Sequence, residues 1–238
     1  MIPKIIYQTW KTQNLPKKLY FLHQKMLKQN PEYQQIIYTD EQMNDYINSN
    51  AEKEIKTLYW RLNNIVARSD IWRYTILLEK GGVYLDIDSL ITGSLDNVIN
   101  DKDEAIITAE KNKNLFVQWA LVFNKDHPIL EETLINILRD VKKNNFQFDH
   151  HSLTVKNYAK AIYTIFQRSN NHLNWDQINE NTNELISFDN TNVRIFGVDY
   201  NEYFLFKHKF NNLLRNRKPG TELETHWSIQ EKINPVYE

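Results

Sequence analysis

The run Gly81-Gly82-Val83-Tyr84-Leu85-Asp86-Ile87-Asp88-Ser89 joins two elements of different period and closes on two carboxylates. Ahead of it, from Ile55, the apolar residues Leu58, Leu62, Ile65, Val66, Ile76 and Leu77 recur at helical spacing, and the glycine pair stands where a helix C-terminus favours a residue without a Cβ. Residues 83–88 then alternate as a strand does, so Val83, Leu85 and Ile87 share one face while Tyr84, Asp86 and Asp88 share the other. At about 3.3 Å per residue the two Asp Cα atoms stand about 6.6 Å apart at the strand's carboxyl end. A helix running straight into a strand restricts the chain to layered α/β arrangements. Two neighbouring carboxylates there need a cation to remain ionised together.

The same reading gives further strands at residues 2–10, with Pro3 near the start where a missing donor is tolerated, and at 35–39, 105–109, 116–123 and 193–198. Helices are predicted at 19–27, from Asp40-Glu41 as a cap, from Pro128 with Leu130, Leu134, Leu138 and Val141 on one stripe, and at 155–166. Strands alternating with helices indicate an α/β fold with a mainly parallel central sheet flanked by helices, whose ligands bind beyond the carboxyl ends of the strands. Five glycines and six prolines in 238 residues leave no Ser/Gly-rich linker, and there is no internal repeat. One domain over 1–238 is therefore expected, with 219–238, after Pro219-Gly220, a tail or lid.

Charge and composition exclude several classes. Lys and Arg total 29 against 30 Asp and Glu, so no global field attracts nucleic acid or an anionic membrane. With no cysteine, disulfides and thiolate metal sites are excluded, and carboxylates and His remain as strong ligands. No segment approaches the roughly 20 apolar residues that span a bilayer, and the first residues lack the apolar stretch of a secretory signal, so no transmembrane anchor and a cytoplasmic location are expected.

Asp70 and Arg73, three apart, share a helical face, and alone they describe a surface ion pair worth under about 1 kcal/mol. With Ser69 they also precede the glycine turn by a distance that returns them to the crevice beside Asp86 and Asp88, where Arg73 would serve as a fixed donor to phosphate or sugar oxygens. An Asp-x-Asp phosphohydrolase with Asp86 as nucleophile, an inverting glycosidase, and a non-catalytic nucleotide-sugar binding module using Trp60, Trp72, Trp119 or Trp175 as platforms are the competing readings. The pair His150-His151 reads as a metal site or a solvated loop.

Ala67-x-Ser69-Asp70-x-x-Arg73-Tyr74-x-x-Leu77-x-x-x-Gly81-Gly82-x-Tyr84-x-Asp86-x-Asp88, behind the opening Ile2-Pro3-Lys4-Ile5-Ile6-Tyr7-Gln8-Thr9-Trp10, resembles the glycosyltransferases with a DXD sugar-binding region. That group includes the initiating α-1,6-mannosyltransferase, capsular polysaccharide transferases and, more distantly, the clostridial glucosylating toxins. The similarity extends through Phe116-Val117-Gln118-Trp119 and Asp126-His127-Pro128-Ile129-Leu130 to His226-Trp227-Ser228.

The resemblance implies a Rossmann-like GT-A fold and transfer of a hexose from a nucleotide-diphosphate sugar, of the GDP-mannose, UDP-glucose or UDP-galactose type, to a glycan or a lipid-linked or protein acceptor, with retention at the anomeric carbon. It implies Mn²⁺ or Mg²⁺ on Asp88, with Asp86 at ribose, sugar or metal and His226 completing metal or diphosphate binding. Asp70 and Arg73 would hold the sugar and its phosphate. Thr9, Trp10, Ser69 and Tyr84 would line the nucleotide pocket, with Trp227 and Ser228 from the tail.

Overall fold

The computed structural model describes residues 1–89, 91, 93–143, 151–188 and 191–197. The strands are β1 (Ile5–Thr9), β2 (Gln34–Tyr38), β3 (Gly82–Leu85), β4 (Ala105–Thr108), β5 (Ala120–Phe123), β6 (Asn183–Phe188) and β7 (Thr191–Phe196). The helices are α1 (Lys17–Gln29), α2 (Asp40–Asn50), α3 (Lys53–Arg61), α4 (Ile65–Lys80), α5 (Pro128–Lys143) and α6 (Lys156–Arg168).

Side-chain alternation in the strands decides the layering. Tyr7, Tyr84, Ile107, Leu121, Phe123, Val193 and Ile195 point to one side, where α2 to α6 cover them. Ile6, Val83, Leu85, Ile106, Val122 and Phe196 point to the other, against Met26 of α1 and the segment carrying Ile91, Leu95 and Val98. Both faces of the sheet are thus buried between helical layers, which is why the central strands are almost continuously apolar.

The strand order is β2-β1-β3-β5-β4-β7-β6. β2, β1, β3, β4 and β7 run one way, while β5 and the edge strand β6 run against them. The mainly parallel sheet is as expected, and β5 wedged antiparallel between β3 and β4 brings the Gln118-Trp119 segment alongside the end of β3.

Several boundaries differ from the sequence-based expectation, each for a local reason. The first strand begins at Ile5 rather than at residue 2, and the second ends at Tyr38. Thr39, not Asp40, caps α2, through a reciprocal capping box with Gln42. The helical run from Ile55 is broken at residues 62–64, where the Asn64 side chain accepts from the Val66 amide and starts α4 afresh. Only residues 120–123 of the expected 116–123 strand pair in the ladder, Phe116 forming a single bridge to Ala109. The last expected strand, 193–198, is β7, ending at Phe196; its antiparallel partner β6 was not anticipated, because its exposed sequence Asn-Glu-Leu-Ile-Ser-Phe has little apolar signal.

Gly81 and Gly82 do what the helix-to-strand joint needs. Their φ angles are +66° and +117°, and a Cβ would lie 2.7 Å from the Lys125 amide nitrogen at Gly81 and 2.9 Å from the Ile5 carbonyl oxygen at Gly82. The tail 219–238, with His226, Trp227 and Ser228, and also His150, lie outside the described residues. Among the described residues no helix is long and apolar enough to cross a membrane.

His127 joins β5 to α5 inside the core. Its ring meets Phe123 edge-on at 5.1 Å and its Nδ1 accepts from the Ile129 amide at 3.3 Å. Burial pulls its pKa down to about 3. The folded protein therefore keeps this ring neutral while the unfolded chain protonates it near pH 6.5, and stability falls as pH drops from that value toward 3. Relative to His127→Asn, wild-type unfolding free energy should decline by an extra ~1.4 kcal/mol per pH unit below pH 6.5. Urea titrations of both proteins between pH 6.5 and 4.5 measure this, and parallel profiles would contradict it.

Candidate active site

Pairing in β3 stops at Leu85, and the two aspartates sit in the turn beyond it. The Asp86 amide donates to the Trp119 carbonyl at 2.8 Å, and the Ser89 amide closes back on the Asp86 carbonyl at 2.8 Å. That closure reverses the chain within four residues, so residues 86–88 are not the end of a strand and the shared strand face expected for Asp86 and Asp88 is lost. Both aspartates are partly exposed.

Arg73 reaches this turn from α4. Its Nη2 lies 2.8 Å from Asp70 Oδ1 and 3.3 Å from Asp86 Oδ1, its Nη1 donates to the Gln118 carbonyl at 3.0 Å, and its Cζ stands 4.3 Å from the centre of the Tyr84 ring. The Tyr84 hydroxyl donates to Asp86 Oδ1 at 2.7 Å. The side chains of Asp70 and Arg73 are only 4% and 7% exposed, so the surface ion pair is excluded. α4 does not present a single apolar stripe either: residues 69–77 are all buried, because the helix is packed among sheet and helices rather than at the surface.

Charge states follow from this packing. Burial works against the charge on Arg73, but Asp70, Tyr84 and Asp86 together outweigh it, so its pKa is raised and it is a permanent cation. Burial, reinforced by Asp86 against the opposing pull of Arg73, holds the Tyr84 hydroxyl well above its ordinary value, leaving it a proton donor. Asp70, Arg73 and Asp86 carry one net negative charge when both carboxylates are ionised.

The other expected residues lie around this core. Thr9 Oγ1, at the end of β1, is 3.4 Å from Ser69 Oγ, and Ser69 also hydrogen-bonds Tyr84, so Thr9, Ser69, Tyr84, Asp86, Arg73 and Asp70 form one continuous set. The Trp10 amide donates to the Tyr38 carbonyl at 2.9 Å, which fixes this partly exposed residue at the carboxyl ends of β1 and β2. Of the aromatic platforms considered, Trp72 is wholly buried among Tyr38, Tyr46 and Tyr84, and Trp175 packs on Phe116. Trp60 is exposed and donates to Asn48 Oδ1 at 2.8 Å.

Gln8, His23, Gln35 and Gln118 were not singled out as site residues. The Gln118 carbonyl and side chain engage Arg73 and Tyr74, while Gln8 and His23 reach the backbone of the aspartate turn and Gln35 links the two. His23 shares the buried stripe of α1 with Leu19 and Met26 at spacings of four and three, which is the sequence signal that marks it.

Carboxylate oxygens are suitable donors for Mn²⁺ or Mg²⁺. Asp86 already accepts from Tyr84 and pairs with Arg73, and among the described residues no three acidic or His side chains form a metal cage. The carboxylates of Asp88 and of Asp86, whose contacts with Tyr84 and Arg73 both fall on Oδ1, are the described groups in the turn that could hold such an ion.

Known proteins resemble this chain in sequence and in fold. Residues 16–105 match the family described as "Glycosyltransferase sugar-binding region containing DXD motif". Inositol phosphoceramide mannosyltransferase 3 of Schizosaccharomyces pombe is 31% identical over 150 residues, 63% of this chain and 39% of that protein. The initiation-specific alpha-1,6-mannosyltransferase of Candida albicans is 26% identical over 164 residues, 57% of this chain and 42% of its own length. The chain thus spans less than half of either relative. Among solved structures, PaToxG glycosyltransferase superposes with a TM-score of 0.59 at 21% identity over 70% of each chain, a likeness of fold that agrees with a GT-A arrangement. Within the matched residues 16–105, Asp86-Ile87-Asp88 is an Asp-x-Asp pair of the kind that the family's description names.

Proposed function

We propose that this chain is a metal-dependent glycosyltransferase that moves a hexose from a nucleotide-diphosphate sugar to a hydroxyl acceptor, with retention of anomeric configuration. The observation that carries the proposal is Arg73, locked between Asp70 and Asp86 beside the turn that presents Asp88. A nucleoside diphosphate gains negative charge as its bond to the sugar breaks, and a pre-positioned guanidinium stabilises that charge without reorganising. Mn²⁺ or Mg²⁺ on Asp88, with Asp86 as a second oxygen donor, would supply Lewis-acid stabilisation of the same diphosphate.

In this reading Asp70 orients Arg73 and faces the sugar, while Thr9, Trp10, Ser69 and Tyr84 form the nucleotide side of the site. His226 completes the metal or diphosphate shell, and Trp227 and Ser228 cover it from the 219–238 tail of a single domain. The names of the fungal relatives support mannose as the sugar and GDP-mannose as the donor type, and the name of the first also supports a lipid-linked acceptor. A phosphohydrolase is disfavoured because Asp86, its nucleophile, is engaged by both Tyr84 and Arg73.

Asp88→Asn should lower Mn²⁺-dependent turnover of the nucleotide sugar by about 100-fold or more while the melting temperature stays close to wild type, since the side chain is partly exposed. Turnover is read as release of nucleoside diphosphate, and an active Asp88→Asn protein would remove the metal role. Arg73→Lys should also cost about 100-fold in kcat, because a point charge cannot reproduce the fork. Arg73→Met should in addition destabilise the fold by roughly 3–5 kcal/mol in urea, since it removes the buried cation from between Asp70 and Asp86. His226→Ala should weaken donor affinity by about 1–3 kcal/mol in calorimetric titration; wild-type affinity would exclude it from the shell.

A further inference from the structure

Side chains from two elements reach the backbone of the aspartate turn, and one from a third element links them. Gln8 of β1, wholly buried, donates its Nε2 hydrogen to the Asp86 carbonyl at 3.4 Å. His23 of α1, 1% exposed, has Nε2 3.1 Å from the Ile87 carbonyl. Gln35 of β2 joins them, its Nε2 lying 2.5 Å from Gln8 Oε1 and 2.6 Å from His23 Nδ1.

The proton assignment in this network is forced by its ends. A carbonyl oxygen only accepts, so His23 Nε2 carries the hydrogen, and Nδ1 then accepts from the Gln35 amide. One neutral tautomer satisfies every contact. The two carbonyls that are held belong to the peptide planes on either side of Ile87, between Asp86 and Ile87 and between Ile87 and Asp88. Each plane is rigid, so holding both limits how the backbone can turn at Asp88 and with it the direction in which the Cα–Cβ bond leaves the chain.

We propose that His23, tied to Gln8 through Gln35, is a positioning residue for Asp88: it touches no reacting atom but sets the direction in which the turn presents that carboxylate. The proposal rests on the reading of Asp88 as the residue that meets metal and diphosphate. Partners that orient a metal ligand from outside its immediate shell are worth 10- to 100-fold in affinity or activity in other proteins, about the scale to look for here.

The test uses the full chain with three substitutions and two measurements. His23→Leu deletes the donor, His23→Gln offers an amide hydrogen where Nε2 stood, and Gln35→Met deletes the link at a partly exposed site. In calorimetric titrations with Mn²⁺ and GDP or UDP, His23→Leu should bind about tenfold or more weakly and His23→Gln within about threefold of wild type. In ligand-free protein, amide exchange at residues 87–89 should accelerate in His23→Leu and Gln35→Met, with α5 and α6 still protected. The proposal is overturned if His23→Leu binds like wild type, if His23→Gln loses as much as His23→Leu, or if exchange in the turn is unchanged. Should wild-type protein bind neither nucleotide with Mn²⁺ while exchange in the turn responds as expected, the functional reading fails and the role toward Asp88 fails with it.

Discussion

A guanidinium with 7% of its side chain exposed must find acceptors for its hydrogens and a counter-charge within the fold, and the architecture around Arg73 is what supplies them. Asp70 comes from the preceding turn of the same helix, Asp86 from the end of β3, and the Gln118 carbonyl from the segment leading into β5. Three separate stretches of chain are therefore tied at one point. The antiparallel insertion of β5 beside β3 has a direct consequence here, since a parallel neighbour would bring its other end to this place. The helix that carries Arg73 is buried along most of its length, so the cation cannot retreat to water by a change of rotamer.

The same interaction divides the labour between the two aspartates. Asp86 is committed to Arg73 and to the Tyr84 hydroxyl, whereas Asp88 lies beyond the first turn residue, partly exposed and on backbone held by Gln8 and His23. In the proposed reading one carboxylate builds the site and the other meets the metal. The idea of two like charges side by side on a strand gives way to a turn in which the Asp86 charge is relieved by an internal arginine.

Periodicity made much of the scaffold readable. The stripe from Pro128 and the alternation in 83–85 correspond to α5 and β3, and the glycine joint between α4 and β3 is where the positive φ angles occur. What escaped was set by single hydrogen bonds or by neighbours distant in sequence. The break before α4 depends on the Asn64 cap, the start of α2 on Thr39 rather than Asp40, and the loss of strand geometry after Leu85 on one closure from Ser89 to Asp86. β6 is an edge strand whose polar residues face solvent, so period-2 hydrophobicity had little to register. Within the site, the co-location of Ser69, Asp70, Arg73, Tyr84 and Asp86 was legible from spacing and resemblance. The roles of Gln8, Gln35 and Gln118 were not, because a buried glutamine looks in sequence like any surface one.

We propose that Arg73 and Asp88 flank one diphosphate site at the carboxyl end of β3. The most direct measurement is a crystal structure of the protein soaked with Mn²⁺ and GDP, with anomalous difference density collected at the manganese edge. The account predicts a manganese peak in contact with Asp88 and diphosphate oxygens, with the diphosphate lying against the Arg73 guanidinium. A manganese peak remote from Asp88, or a diphosphate bound away from Arg73, would contradict it.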